Sequence, residues 1–180
     1  YERIAEGEIE FLTELRLAVP MFVKFSGIDY DQDEMAGQKL DQFIQSVQGI
    51  LARYEGYLCN LTIGDKGSNL YIIFGAPIAH EDSIDRALAA ALRIKSEIHE
   101  LGFIEEIQVG LTHGPVWAGA HGGQTARTYS AMGAEVNLAA RLMSHAKPGQ
   151  ILVSPHVAEL ASNYSFLQLA PIEFKGIEKP

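Results

Sequence analysis

Two polar side chains stand one helical turn apart in the stretch from Tyr129 to Met143. Asn137 and Arg141 are four residues apart, so a helix places the amide and the guanidinium on the same face. An amide beside a guanidinium suits a ligand that carries an anionic oxygen together with a sugar or base edge. The same spacing also fits a solvated polar stripe on an amphipathic helix, and spacing alone leaves both interpretations open.

A helix that could hold this pair is predicted directly after Gly133. Its apolar positions recur at helical spacing on the neighbouring face, at Val136, Ala139, Ala140 and Met143. Such a helix can bury one side against a core while the amide and the guanidinium stay available on another side.

The other elements follow from apolar periodicity and turn residues. Two long helices are predicted, over about Ala36–Tyr54 and Asp82–Leu101. Five strands are predicted over Val19–Ser26, Tyr57–Ile63, Asn69–Gly75, Ile107–His113 and Val116–Ala120. Hairpins are predicted at Gly64–Ser68 and at Gly114-Pro115. The tail is predicted to alternate short elements, at Gln150–Ser154, Val157–Leu160, Phe166–Leu169 and Ile172–Lys175.

The order strand, helix, strand, strand, helix, strand predicts an α+β fold with a ferredoxin-like βαββαβ core, extended by an extra helix and hairpins. We expect the helices to pack on one face of a mainly antiparallel sheet. Gly110 lies within a strand, which suggests close approach of backbone or ligand. Residues 1–18, which include the acidic, helix-prone Tyr1–Leu17, are interpreted as a linker helix, and residues 19–180 as the domain.

The composition is that of a soluble globular domain. The 180 residues carry a formal net charge of −9, with 47% hydrophobic and 21% charged residues. No window is dense in Lys or Arg, which argues against a nucleic-acid-binding or anionic-membrane surface. No apolar run reaches the length of a membrane span, and no signal peptide is found. The single Cys59 excludes an internal disulfide, so we expect a reducing, cytoplasmic location.

Four motifs in order resemble the catalytic domain of the class III adenylyl/guanylyl cyclases. They are the strand Phe22–Gly27, the hairpin Gly64-Asp65, the segment Gly110–Gly119 (GLTHGPVWAG) and Tyr129–Met143 (YSAMGAEVNLAARLM). The resemblance covers roughly residues 19–175, and the last motif is the specific one. It is closest to the second of two tandem domains of the soluble adenylyl cyclase type.

In that family two domains pack head to tail and bind ATP or GTP at their interface. The ribose 3′-hydroxyl attacks the α-phosphate, which releases pyrophosphate. The resemblance implies that two Mg²⁺ or Mn²⁺ ions are held by aspartates of one domain. It implies that the other domain supplies an Asn, an Arg and groups that read the purine.

The resemblance carries over residue by residue. Asn137 and Arg141 match the ribose-orienting Asn and the transition-state Arg. Ser130 stands where the family has the purine-reading Asp or Thr. The purine Lys should fall near Asn60–Leu61, where only Asn60 could hydrogen-bond a base edge. Lys175 resembles a phosphate-contacting lysine.

The metal half departs from the family pattern. Asp65 matches one metal aspartate, but the other position holds Lys24, a cation that would repel Mg²⁺. A symmetric homodimer of this chain is therefore expected to lack a normal two-metal site, and Asp65 is expected to pair with Lys24 instead. The metals would then be held mainly by a partner domain.

Two functions remain open from the sequence. In the first, the chain is half of a cyclase site and a tandem domain or second copy completes it, with ATP more plausible than GTP. In the second, it is an inactive pseudo-cyclase that binds nucleotide as a regulatory or dimerising module. A purely structural partner that binds nothing is a third possibility. The isolated chain is expected to be almost inactive in any of them.

Overall fold

The structure is a computed structural model that describes residues 13–64, 67–122 and 127–172. The strands are β1 (Glu14–Ser26), β2 (Tyr57–Thr62), β3 (Ser68–Phe74), β4 (Glu106–Leu111), β5 (Gly114–Gly122), β6 (Arg127–Met132) and β7 (Ile151–Val153). The helices are α1 (Ala36–Tyr54), α2 (Ser83–Glu97), α3 (Ala134–His145) and α4 (Pro155–Leu160), and a 3-10 turn, Ile98–Leu101, extends α2. No helix within the described residues is long and apolar enough to cross a membrane.

The described residues form a seven-stranded sheet around β1. The central order is β2-β3-β1-β4-β7, in which only the β4–β7 pair is parallel. The last half of β1 pairs with β3 and β4, which reproduces the predicted ferredoxin-like core. The first part of β1, Glu14–Ala18, pairs with β5 instead of β3 and β4. Strand β5 pairs in turn with β6. The long β1 therefore joins the core sheet to a three-stranded ribbon.

The main core lies between the sheet and helices α1 and α2. Helix α1 buries Phe43, Val47, Ile50 and Leu51 at helical spacing. These side chains meet alternate residues of β1, among them Val23 and Phe25. The predicted bounds of α1 are confirmed, because its apolar stripe is continuous from the first turn to the last.

Helix α3 packs on the opposite face of the sheet, against β4 and β1. Val109 and Leu111 point into the α1–α2 core, whereas Gly110 between them faces the α3 backbone. The expectation that the helices share one face is therefore wrong for α3, although the α+β class and the ferredoxin-like core are confirmed. The absence of a side chain at Gly110 lets a helix lie directly on the strand.

Three other local predictions are wrong. Glu14–Leu17 were expected in a linker helix but form the start of β1, and the rest of that segment up to residue 12 lies outside the described residues. A hairpin between β4 and β5 was expected at Gly114-Pro115, but β4 pairs with β1 and β7. Phe166–Leu169 form neither helix nor strand. The division into a linker and a domain stays a prediction.

Candidate active site

Helix α3 presents the polar pair that the sequence singled out. It begins after Gly133 and buries Ala139, Leu142 and Met143 against the sheet. Asn137 is exposed and Arg141 is half-buried, one turn further along the helix. The helix therefore buries an apolar side and carries the amide and the guanidinium outside it, as the spacing predicted.

Two contacts, one with β4 and one with Thr112 directly after it, fix the position of α3. A Cβ placed on Gly110 would lie 2.1 Å from the Met143 nitrogen and 2.2 Å from the Ala139 oxygen, so the helix backbone rests on this glycine. The buried Thr112 hydroxyl donates a hydrogen bond to the Glu135 carbonyl oxygen at 2.9 Å. Close approach at Gly110 was predicted, but the Thr112 contact was not.

A third contact holds the far end of α3. The Gln108 side-chain amide, from β4, donates a hydrogen bond to the carbonyl oxygen of Ala146, the residue after the helix. This bond occupies a terminal carbonyl that has no partner within the helix. Gln108 and Thr112 thus each bind one end of the helix through a hydrogen bond. Neither residue was singled out by the sequence motifs.

An open depression lies beside Arg141. Its volume is about 330 Å³, and it is lined by Ala140, Arg141, Ser144 and His145. All four residues belong to α3, so the depression follows the same helix flank as the polar pair. The lining includes a guanidinium, a hydroxyl and an imidazole, and the Ser144 hydroxyl donates a hydrogen bond to the Ala140 carbonyl oxygen at 3.0 Å.

The two proposed base-reading residues come from neighbouring strands. In β2 a bulge inserts Cys59 between Leu58 and Asn60. Burial raises the pKa of the Cys59 thiol to about 12, and a hydrogen bond with the half-buried Ser130 of β6 partly opposes this rise. Asn60 is exposed, and its side-chain amide donates to the Thr62 hydroxyl at 3.3 Å. The fold therefore brings the residue beside Asn60 into contact with Ser130.

Titratable side chains surround the first turn of α3. The rings of His113 and His156 stack with centroids 5.4 Å apart. Burial lowers the pKa of His113, and the neighbouring His156 lowers it further. Burial raises the pKa of Glu135, against the effects of Thr112 and His156. The buried Nδ1 atom of His113 has no hydrogen-bond partner among the described residues.

Lys24 lies on β1, opposite Asn69 of β3 and Gln108 of β4. Its half-buried side chain reaches the β2–β3 connection, where a Cβ placed on Gly67 would lie only 2.7 Å from the Lys24 Cε atom. The side chain thus fills the space beside Gly67. Asp65 and Lys175 lie outside the described residues, so the predicted ion pair between Lys24 and Asp65 stays a prediction.

Comparison with known proteins identifies the family of the chain. The family profile of the "Adenylate and Guanylate cyclase catalytic domain" matches residues 21–180. The chain belongs to this cyclase family. The human protein "Adenylate cyclase type 10" is 29% identical over 171 residues, which cover 93% of this chain and 10% of that protein. The chain therefore spans about a tenth of the length of this relative.

Solved cyclase structures share the fold. The adenylyl cyclase CyaB from P. aeruginosa superposes with a TM-score of 0.83 at 22% identity, covering 93% of this chain and 92% of that one. The guanylate cyclase domain of RhGC from Catenaria anguillulae, solved in complex with GTP, gives 0.80 at 26% identity, covering 92% and 94%. Proteins of this family bind nucleotides and dimerise, and they generally use Mg²⁺ or Mn²⁺.

The described residues do not fit the two-metal half of a cyclase site. The family resemblance predicts a metal-binding carboxylate where this chain has Lys24, and the alkyl chain of Lys24 occupies the space beside Gly67. Among the described residues, no group of three or more His, Cys, Asp or Glu is arranged to hold a metal ion. A cationic side chain cannot ligate Mg²⁺, which takes oxygen ligands.

Proposed function

We propose that this chain is one half of a class III cyclase site, which converts ATP to a cyclic nucleotide and pyrophosphate together with a partner domain. One observation carries the proposal. Helix α3 presents Asn137 and Arg141 outside its buried side, and the family resemblance matches Lys24 to the position of a metal ligand. The partner, a tandem domain or a second kind of chain, would hold the metal ions.

In this proposal α3 supplies two different functions. Asn137 hydrogen-bonds the ribose and holds its 3′-hydroxyl in line with the α-phosphate. Arg141 stabilises the negative charge that builds up on the α-phosphate as the bond from the 3′-oxygen forms. The bond from the α-phosphorus to the bridging oxygen then breaks, pyrophosphate leaves with the bonding electron pair, and the 3′-hydroxyl proton passes to solvent water. Gly110 and Thr112 fix α3, so both side chains are positioned before the nucleotide binds.

Substrate choice would depend on Asn60 and Ser130. Both can donate and accept hydrogen bonds, and the contact between Cys59 and Ser130 supports their proximity. Ser130 replaces an Asp or Thr, and a hydroxyl is compatible with the adenine edge. The name of the human relative supports ATP, whereas the RhGC domain is solved with GTP. Lys175, outside the described residues, would contact the phosphates.

The test is to mix this chain with a cyclase domain that carries both metal aspartates. Cyclic nucleotide formation should appear with Mg²⁺ or Mn²⁺, faster from ATP than from GTP, whereas this chain alone should be almost inactive. Arg141→Ala should lower the rate by about 10²-fold or more, as expected for loss of one electrostatic donor. Arg53→Ala, which changes an exposed arginine on α1, is the matched control. Unchanged turnover with Arg141→Ala would contradict the proposal.

The lack of a metal-binding carboxylate and of a purine-binding lysine at the matched positions favours a second function, nucleotide binding without turnover. With Lys24 at a metal position and no lysine at Asn60–Leu61, the chain could bind nucleotide without turning it over, as a regulatory or dimerising module. Calorimetry with a non-hydrolysable ATP analogue separates the two functions when combined with the mixing experiment. Clear affinity together with no product from any pairing would favour the module.

A further inference from the structure

The ribbon formed by the start of β1, β5 and β6 has one buried face and one exposed face. On the buried face, Val116, Ala118 and Ala131 pack with Tyr71 and Ile73 of β3 in a second core. The side chains that alternate with these ribbon residues point to the opposite face. Among the described residues, four large apolar side chains are exposed there: Leu15 (59%), Leu17 (68%), Trp117 (52%) and Met132 (54%).

These four side chains form one continuous surface, which we name the ribbon patch. In the strand register Leu15 lies opposite Trp117, and Trp117 lies opposite Met132. Leu17 follows Leu15 by two residues and projects on the same side of β1. Directly opposed side chains of an antiparallel pair are close enough to contact each other. Contiguous exposed apolar side chains, unlike single ones, mark an interaction site.

Residues 1–12, which lie outside the described residues, have the sequence of a segment that suits this surface. On a helix with about 3.6 residues per turn, their apolar side chains fall within an arc of about 160°. They are Tyr1, Ile4, Ala5, Ile9, Phe11 and Leu12. Most of the charged side chains fall outside this arc, at Glu2, Arg3, Glu6 and Glu10, and Glu8 is the exception. The sequence therefore predicts an amphipathic helix whose apolar side needs a surface to cover it.

The length and the attachment point of this segment match the ribbon patch. Only Thr13 and Glu14 separate Leu12 from Leu15, the first residue of the patch. A helix of 12 residues is about 18 Å long, and the patch extends about 10 Å across its three strands. A segment on so short a connection has an effective concentration in roughly the millimolar range, so weak apolar contacts suffice to hold it.

We propose that residues 1–12 dock on the ribbon patch as an amphipathic helix, with its apolar side against Leu15, Leu17, Trp117 and Met132. The docked helix would lie against β6, the strand that carries Ser130 and leads through Gly133 into α3. It would therefore connect residues 1–12 to the elements that carry the candidate site. This inference goes beyond the proposed function, because it requires neither nucleotide binding nor a partner domain.

Trp117 reports on this contact directly, because it is the single tryptophan of the sequence. Acrylamide quenching of its fluorescence is measured on the full chain and on a variant that combines Ile4→Glu with Ile9→Glu. The variant should release the helix and restore the 52% exposure of the indole. The quenching constant should then rise about twofold, because contact with the helix should cover about half of the exposed ring. Its emission should move to longer wavelength.

A matched control changes the charged side of the same segment. Glu2→Gln combined with Glu6→Gln should leave the quenching constant of Trp117 unchanged. Equal quenching of the unmodified chain and of the Ile4→Glu and Ile9→Glu variant would overturn the proposal. Quenching that falls as the protein concentration rises would also overturn it, because a second copy of the chain would then cover the patch.

A substitution in the patch tests the other side of the contact. Leu17→Asn should raise the quenching constant of Trp117 as the segment variant does, without unfolding the domain, because Leu17 is 68% exposed. Leu167→Asn, at a residue that is 87% exposed near the end of the described chain, is its control and should change nothing. Unchanged quenching with Leu17→Asn would contradict docking on the ribbon patch. Because the measurement needs no nucleotide, it fails or succeeds independently of the mixing experiment for cyclase activity.

Discussion

Gly110→Ala tests whether direct contact between β4 and α3 positions the polar pair. The added Cβ would lie 2.1 Å from the Met143 nitrogen, whereas ordinary contacts begin at 3.4 Å. The helix must therefore retreat by roughly 1 Å, because a packed core cannot absorb the overlap in voids. Since both opposing atoms belong to the helix backbone, we expect a cost at the upper end of the overpacking range, about 3 kcal/mol.

Chemical denaturation gives the free energy of unfolding, and the mixing experiment gives the rate. A displacement of about 1 Å of Asn137 and Arg141 should lower the rate by about 10²-fold even in the fraction that folds. Gly49→Ala is the control, because nothing lies within 4 Å of its added Cβ on α1. It should be stabilising by up to about 1 kcal/mol. If Gly110→Ala matched this control in stability and rate, the contact would not position α3.

Two more predictions concern the first turn of α3. Thr112→Val removes the hydroxyl that donates to the Glu135 carbonyl oxygen, so it should lower the free energy of unfolding by about 1 kcal/mol. The control, Thr128→Val at an exposed position, should change the free energy of unfolding little. Equal effects of the two substitutions would contradict the contact. Because the folded state lowers the pKa of His113, beside His156 and Glu135, the unfolded state binds its proton first as pH falls below about 6.5. The free energy of unfolding should therefore decrease as the pH falls from 7.5 to 5.5, and His113→Gln should reduce this decrease. An unchanged decrease in the variant would show that His113 does not cause it.

The parts of the fold that follow from local pattern could be predicted from the sequence. Helix α1 has a continuous apolar stripe, and α3 combines a preceding glycine with apolar spacing, so both appeared where expected. Gly110 also predicted close approach of another segment to the strand, because glycine in a strand interior often marks such an approach. The pair Asn137 and Arg141 was evident from spacing, and the cyclase motif gave it a chemical meaning.

The parts that failed depend on pairing between distant segments. Glu14–Ala18 lie in an acidic, helix-prone context, and their strand state comes from pairing with β5 about a hundred residues later. The glycine and proline at Gly114-Pro115 suggested a hairpin, but β4 has its partners in β1 and β7. Local propensity cannot report such partners, because tertiary contacts override it.

The contacts that support the site could also not be predicted from the sequence. Gln108 in β4 and Thr112 directly after it make their contacts only because α3 packs against them. The contact between Ser130 and the buried Cys59 forms where a bulge interrupts the pairing of β2 with β3. The position of the Lys24 side chain beside Gly67 also depends on the fold, whereas the replacement of a carboxylate by Lys24 is a prediction from the family resemblance.

The central claim is that α3 completes a site whose metal ions are held by another domain. The most direct measurement uses a partner cyclase domain that keeps both metal aspartates but has its own transition-state arginine changed to alanine, so that it is silent alone. Mixed with this chain, it should form cyclic nucleotide from ATP, and Arg141→Ala in this chain should abolish the product. No product from the unmodified mixture, or equal product with Arg141→Ala, would contradict the claim.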